Sequence, residues 1–483
     1  MGSPKVSVII PTYNGADYLG EAIQSVLDQT YPPFEVIVVD DASPQDMANL
    51  VNRFNNPLIT YIRHERNRGA VAARQTGTCA SSGDIIAYLD QDDLFHQEKL
   101  QTHVDFLHNH PEIGATYNAR FEIQDSTKTI SGLYRPPRAL TLANFVLGYP
   151  ISPSDIVLRR EWALRDEIWD DSFASVAEHT IFNGQEIVFG GRLALAGCQF
   201  RNVGRALNYR RFHSQRILKH LSERCKSEHA CQEMVFKDPR CPPEVLALQN
   251  TATANIFLVW AFSAFIQEEV GLGQKFLNRA VELKPSLLKG KPCELVKSWA
   301  AWAAIDTEHF GRGHEEIIDF IFDNFPPELQ DLKKDHDWAI KNGYLWKGLH
   351  TMIWGTPQDA RDSLVQARRL GAVIDGFSAQ IFISELFNYE AEFGSQASQA
   401  ILRDLILYLK ESGNRRSARE LKGCYWINKA FSSYSAGEYR QVPRSVLHGI
   451  FLYPKILLNR GALSIMFHSL AGNLLSQFNH KSS

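Results

Sequence analysis

The stretch DIIAYLDQDDLFHQEKL, Asp84 to Leu100, runs a string of apolar residues straight into three carboxylates, Asp90, Asp92 and Asp93. Like charges this close repel, so the cluster needs a counter-charge. Carboxylates at a strand end suit a hard divalent cation, Mg²⁺ or Mn²⁺. Such an ion takes one or two protein carboxylates and completes its shell with water and phosphate oxygens. With the cation in place, repulsion becomes attraction for a diphosphate. Arg74 and the turn Asn67-Arg68-Gly69 are candidates to meet the phosphates, because that turn opens a helix whose N-terminus favours anions. Neither a Walker A loop nor a Rossmann glycine fingerprint is present, so a nucleotide would be held another way.

The elements that must place these residues alternate along the first 125 positions. VSVIIPTYN, FEVIVVDDAS, ITYIRHE and DIIAYLD read as strands. YLGEAIQSVLDQT, SPQDMANLVNRF, GAVAARQTGTCASS and QEKLQTHVDFLHNH read as helices between and after them, with Ser43 the expected N-cap before Pro44. Strands this continuously apolar are covered on both faces, as in a parallel α/β sheet. In such sheets ligands bind beyond the carboxyl ends of the strands. Thr12-Tyr13-Asn14, Asp40-Asp41 and the Asp90–Asp93 cluster all fall at that edge. Each alone could be a turn, since Asn, Asp and Ser favour turns; three at one edge are better explained by a site. Further on, SPSDIVLRREWAL reads as a strand leading into a helix, GQEIVFGGRLALAG as a helix ending at Gly197, and FRNVGRALNYRRFH as a strand with a basic end.

VSVIIPTYNGADYLGEAIQSVLDQTYPPFEVIVVDDAS, then NRGAVAARQTG, then GDIIAYLDQDD resemble, in order and spacing, the family 2 glycosyltransferases with the GT-A fold. The resemblance is close over about the first 120 residues and continues more weakly to roughly 215. It implies a nucleotide-sugar site, with a UDP-sugar the first expectation for the donor. Pro11, Thr12, Tyr13 and Asn14 would line the nucleoside pocket, with Tyr13 against the base and Asp41 on the base edge. Arg74 would sit near the ribose or diphosphate, with Asn67 and Gln91 also on the donor. Asp90 and Asp92 would form the metal-binding DXD motif, Asp92 as direct ligand and Asp90 in support; Asp93 is read as structural. The family carries an acidic pair before a LRLALAG-like helix, the second acid being the general base. Here that position holds Gln185-Glu186, so the base is expected to be Glu186, with Glu178 a competing candidate. YRRFH resembles the family's segment that closes the site, placing His213 near the metal and Arg210 or Arg211 near the phosphates. Gln75 departs from the Asn the family often has. A single base and a diphosphate leaving group suggest direct displacement with inversion.

The whole chain, 483 residues at a net charge of −3, has no global basic field, so nucleic acid is not an expected partner. The opening MGSPKVSVII lacks the charged and long apolar regions of a signal peptide. The apolar run NIFLVWAFSAFI is shorter than the roughly 20 residues a bilayer demands, and reads as a core helix. Seven scattered cysteines fit a reducing compartment. Cys225, His229, Cys231 and Cys241 are spaced too irregularly for a usual zinc site. The expected location is cytoplasmic, with peripheral contact at the inner face of the plasma membrane left open.

The expected division is a GT-A domain over 1–220 and an all-α region over 221–483. In the latter, AFS recurs at 261–263 and 430–432, each time followed by a Pro closing a helical stretch, at 285 and 454. A tetratricopeptide-like hairpin and a non-repeating helical domain both fit. VLHGIFLYPKILLNRGALSIMFHSL reads as a packed terminal helix pair in preference to a membrane-surface segment. The acceptor would be a glycan, a lipid-linked sugar or a protein, and a protein partner through the helical region stays open. Against transfer stand two alternatives: a sugar nucleotidyltransferase, whose Gly-rich opening loop is missing, and a non-catalytic transferase-like scaffold.

Overall fold

The computed structural model describes residues 3–148, 151–169, 184–212, 220–305, 312–435 and 437–479, the side chains of Phe212 and of 470–479 excepted. Its first half alternates as the sequence predicts. In chain order come β1 (Val6–Thr12), α1 (Ala16–Leu27), β2 (Glu35–Asp40), α2 (Met47–Asn52), β3 (Ile59–Arg63), α3 (Gly69–Ala80) and β4 (Ile85–Tyr88). There follow β5 (Leu94–Phe95), α4 (Lys99–Asn109), β6 (Ala115–Gln124), β7 (Ile130–Tyr134), α5 (Leu142–Leu147), β8 (Ile156–Arg159), α6 (Arg160–Ala163), α7 (Gln185–Leu195) and β9 (Phe200–Phe212).

One sheet takes all nine strands of the described residues in the order β3-β2-β1-β4-β8-β6-β9-β5, with β7 paired to β6. The β3-β2-β1-β4 half is parallel. β8 then joins β4 and β6 antiparallel, and β9 runs parallel to β6. The apolar runs are unbroken because both faces are covered. Val6, Val8 and Ile10 face Leu19, Ile23 and Val26 of α1 in one core; Ile9, Ile86 and Tyr88 pack in another with Phe189 and Leu193 of α7.

One local expectation fails. Asp46, not Ser43, caps α2, accepting from Asn49 N at 3.1 Å. Ser43 is taken up elsewhere: its amide donates to Asp40 and its hydroxyl accepts from Asn14 N. The helix therefore starts after the loop, at Met47.

The described chain forms two compact units, one of residues 1–299, 308–312 and 316–336, the other of 300–307, 313–315 and 337–483. In the first, α8 (Leu221–Phe236), α9 (Pro243–Leu246), α10 (Gln249–Ile266) and α11 (Val270–Leu283) follow the sheet. Val235 and Phe236 of α8 join Leu142 and Val146 of α5 and Ile187 of α7 in one core. Cys225, Cys231 and Cys241 are buried, and burial pushes the Cys225 thiol up to about 12. Among the described residues no group of three or more His, Cys, Asp or Glu is arranged to hold a metal ion.

Helices continue through α12 (Glu294–Ile305), α13 (His314–Asp323), α14 (His336–Trp354), α15 (Pro357–Arg369), α16 (Gly376–Phe393), α17 (Ser395–Glu411), α18 (Arg415–Ser435), α19 (Val442–Leu452) and α20 (Arg460–Asn479). In the second unit Leu349, Phe382, Ile383, Leu386, Leu405 and Leu421 fill one core. The AFS segment at 261–263 lies in α10 and the one at 430–432 in α18. α10 and α11 end at Lys284 (φ −133°, ψ 74°) before the 3₁₀ turn at Pro285, and α18 and α19 end at Tyr453 (φ −139°, ψ 86°) before the one at Pro454. Among the described residues no helix is long and apolar enough to cross a membrane.

Candidate active site

The parallel strands deliver three polar turns to one edge, and hydrogen bonds lock the turns together. Asp41 N donates to Thr12 O, joining β2 to β1. Asn14, left-handed at φ 52°, donates to Ser43 Oγ. From the end of β4, Gln91 reaches over the β1 turn: its Oε1 accepts from Thr12 Oγ1 at 2.6 Å and Tyr13 N at 2.9 Å, and its Nε2 donates to Tyr13 O. A Cβ on Gly15 would stand 2.1 Å from Gln91 Oε1, so the close approach requires glycine there. The Tyr13 side chain is 48% exposed, available to stack on a flat group, whereas Pro11 is buried inside β1.

Asp41 is placed differently from its expected role at a base edge. Its carboxylate is buried and accepts from His64 Nδ1, Arg68 N and Gly69 N at 2.7–2.8 Å. It holds the loop that opens α3, with Asn67 Oδ1 also accepting from Gly69 N. Asp93 is likewise buried, accepting from Ser154 Oγ and Arg211 N. Arg211 does not reach toward a phosphate position. It pairs with Glu21 and Asp125, and its Nε donates to Asp92 O. Of the two candidates for a phosphate, Arg211 has its guanidinium held by two acids, brought by α1 and the end of β6.

A second cluster lies at the start of α7. Arg74 of α3 donates from Nη2 to Asp90 Oδ1 and from Nη1 to Gln185 Oε1 at 2.6 Å. Gln185 Nε2 in turn donates to Glu186 at 3.3 Å. Val71, Tyr88, Pro153, Ile156, Trp169 and Phe189 complete an otherwise apolar cleft around Arg74, Gln185 and Glu186. Burial drives the Glu186 carboxyl above the usual carboxylate range, with Arg74 pulling the other way. Behind it, Gly184 starts the helix at φ 93°, and a Cβ there would sit 2.9 Å from the Cα of Glu228 on α8. Glu228 is buried against Trp260, whose Nε1 donates to it at 2.8 Å, and burial raises its carboxyl to about 8.

The structure thus joins Thr12 and Tyr13 to Gln91, and Arg74 to Asp90, Gln185 and Glu186. Asp41 and Asn67 meet at the Arg68–Gly69 loop. Asp90 and Asp92 leave the same turn as Asp93, which is engaged internally, and Arg74 holds one oxygen of Asp90. His213, the competing base Glu178 and its neighbour His179 lie outside the described residues. Sequence reasoning missed Ser154, which accepts from Asp90 N and donates to Asp93, and the aromatic lining from Trp169 and Phe189. Only the Ser and Asp of SPSD, placed just before a strand, hinted at the former.

Residues 7–163 match the family model described as glycosyl transferase family 2. This segment is a family 2 glycosyltransferase domain. An uncharacterized glycosyltransferase of Rickettsia bellii is 43% identical over 103 residues, 21% of this chain and 15% of that protein. The putative teichuronic acid biosynthesis glycosyltransferase TuaG of Bacillus subtilis is 36% identical over 106 residues, 22% of this chain and 42% of that protein. The chain spans 15–18% of the length of its Rickettsia bellii, felis and conorii relatives and 32% of that of the Rickettsia typhi one. Among solved structures, S. aureus TarS 1–349 is 16% identical, covering 76% of this chain and 90% of TarS 1–349 at a TM-score of 0.37. The mannosyltransferase PcManGT of Pyrobaculum calidifontis, solved with GDP-Man and Mn²⁺, is 16% identical over 76% of this chain and 88% of its own, at 0.42. Likeness this loose says nothing about the site.

Proposed function

We propose that the chain transfers a sugar, with inversion, from a nucleotide-diphosphate donor to an acceptor hydroxyl, with Glu186 as general base. The observation that carries this reading is the placement of Glu186: a carboxyl in an apolar cleft, one residue from the Gln185 that Arg74 ties to Asp90. A carboxyl raised by burial is a better proton acceptor near neutral pH than one in water. The amide at position 185 helps. A carboxylate in its place would stand beside Glu186 and push its pKa higher still, leaving less of it ionised.

Each side chain then has a task. Tyr13 stacks on the nucleobase, and Gln91 keeps the Thr12–Asn14 turn in place beneath it. Arg74 fixes Asp90 and offers positive charge beside the diphosphate. Glu186 removes the proton of the acceptor hydroxyl as its oxygen attacks the anomeric carbon. Asp90 and Asp92 would hold a divalent cation, Mg²⁺ or Mn²⁺, which supplies charge neutralisation on the departing diphosphate. The apolar wall from Pro153, Ile156, Trp169 and Phe189 suits the less polar face of a sugar ring. The teichuronic acid biosynthesis named for TuaG favours a polysaccharide product.

The test combines binding and turnover. Nucleotide sugars are screened by thermal shift with Mn²⁺ or Mg²⁺, and the donor that stabilises the protein is assayed for release of free nucleotide. Glu186→Gln should bind that donor as wild type does and release almost nothing. Near-normal turnover would remove Glu186 from its role. Stabilisation by a donor with no turnover in wild type, whatever the acceptor, would favour a non-catalytic scaffold.

A further inference from the structure

The sequence reads residues 446–470 as a packed terminal helix pair, and half of that is what the structure shows. The inner face is filled: Val442, Val446, Ile456, Ala462 and Ile465 pack with Ile427 and Ala430 of α18. The outer face is apolar as well. Leu447 and Phe451, one turn apart on α19, are 59% and 74% exposed. Leu457 and Leu458 in the following 3₁₀ turn are 54% and 83% exposed, and Phe467 on α20 is 63% exposed. Side chains of this size left in water raise the free energy of the isolated protein, so the face calls for a cover.

Charge says what the cover is. From Tyr439 to Ser483 the chain holds no Asp or Glu, although the whole chain is acidic at −3. Arg444 lies one turn before Leu447, Lys455 two residues before Leu457, and Arg460 two residues after Leu458. All three are exposed, and none is ion-paired with a described residue. Bulky apolar tips flanked by cations that pair with no described acid, on a segment with no acids of its own, match a surface that is anionic outside and apolar just beneath. We infer that the 442–467 hairpin docks on the surface of an anionic lipid bilayer, with Phe451, Leu457 and Leu458 entering the headgroup layer and Arg444, Lys455 and Arg460 meeting lipid phosphates. With no described helix able to cross a membrane, the contact is interfacial.

Co-sedimentation of the full chain with vesicles tests this, comparing phosphatidylcholine alone with phosphatidylcholine mixed with phosphatidylglycerol. Binding should appear with the anionic mixture, weaken as salt is raised, and be near zero on the neutral vesicles. The charge reversals Arg444→Glu and Arg460→Glu together should lower the partition coefficient at least about tenfold. Phe451→Ser with Leu458→Ser should do the same while leaving the thermal melt in place, because both side chains are already in water. If the apolar pair fails to fold, the charge reversals decide. Equal binding by wild type and variants, or none at low salt, overturns the inference. So does self-association without lipid that Phe451→Ser with Leu458→Ser abolishes, since the face would then belong to a second copy of the chain.

Discussion

Two sets of carboxyls lie at or near the candidate site, and they are built in opposite ways. Asp40, Asp41 and Asp93 sit among donors. Asp40 takes Ser43 N, the Tyr61 hydroxyl and Arg63; Asp41 takes His64 and two backbone amides; Asp93 takes Ser154 and an amide of β9. Glu186 instead lines a cleft walled by Phe, Trp and aliphatic side chains, with Gln185 donating to it, and Glu228 is buried with Trp260 donating to it. Burial favours the neutral form of a carboxyl, and donors favour the charged form. The first set therefore serves as hydrogen-bonding staples for loops. The second holds protons more tightly, a property that suits proton transfer when the group faces a cleft, as Glu186 does.

Breaking the comparison begins with the largest effect. Glu186→Gln should lower transfer by about 10²–10⁴-fold, the usual worth of a general base. The same change should keep or raise the melting temperature at neutral pH. A carboxyl whose folded pKa is raised is protonated in the folded state where the unfolded chain has already ionised, so its stability contribution is lost as pH rises, and an amide removes that loss. In wild type the acid limb of the rate profile should lie above the ordinary carboxylate range. Asp41→Ala should do the reverse: destabilise by about 2 kcal/mol by urea titration, because one buried and two part-buried donors lose their acceptor. If Asp41→Ala is neutral for stability and abolishes donor binding, Asp41 belongs with the ligand after all.

The sequence makes the sheet edge legible, because continuous apolar runs ending in Asn and Asp report both a covered strand and its carboxyl end. The Gln185–Glu186 pair is legible from the helix that follows it. What stayed hidden depends on partners far along the chain. Asp41 and its donors His64, Arg68 and Gly69 are brought together by the β2–β3 crossover, and nothing local to DDAS announces them. Arg211 finds Glu21 and Asp125 across the sheet, which no spacing rule reveals. The shift to helical composition near 220 is plain, yet the compact units divide elsewhere. Val235 and Phe236 bury apolar surface with Leu142, Val146 and Ile187, so packing ties that helix to the sheet-bearing unit.

Glu228 offers a test of the apolar set that does not depend on turnover. Its folded value of about 8 lies above the ordinary 4.5. Between those limits the folded state keeps a proton that the unfolded chain loses, so stability should fall as pH rises, by up to about 1.4 kcal/mol per pH unit. Glu228→Gln keeps an acceptor for Trp260 and should flatten that slope in urea titrations across the range. An unchanged slope would assign the pH dependence to other groups.

The smallest effect sharpens the staple side. Gly15 has an ordinary φ of −118°, so a methyl there strains no backbone angle. The conflict is with Gln91 alone, whose carboxamide occupies the space. Gly15→Ala should therefore cost only about 1 kcal/mol, the worth of a displaced hydrogen-bonded side chain. Its signature is in binding. With Gln91 pushed aside, Thr12 and Tyr13 lose the bonds that hold the turn, and the donor KM should rise several-fold with kcat little changed. Gln91→Ala in the same background should add nothing further, since both changes remove one contact. Additive losses would show that Gln91 touches the donor directly instead of acting through the turn.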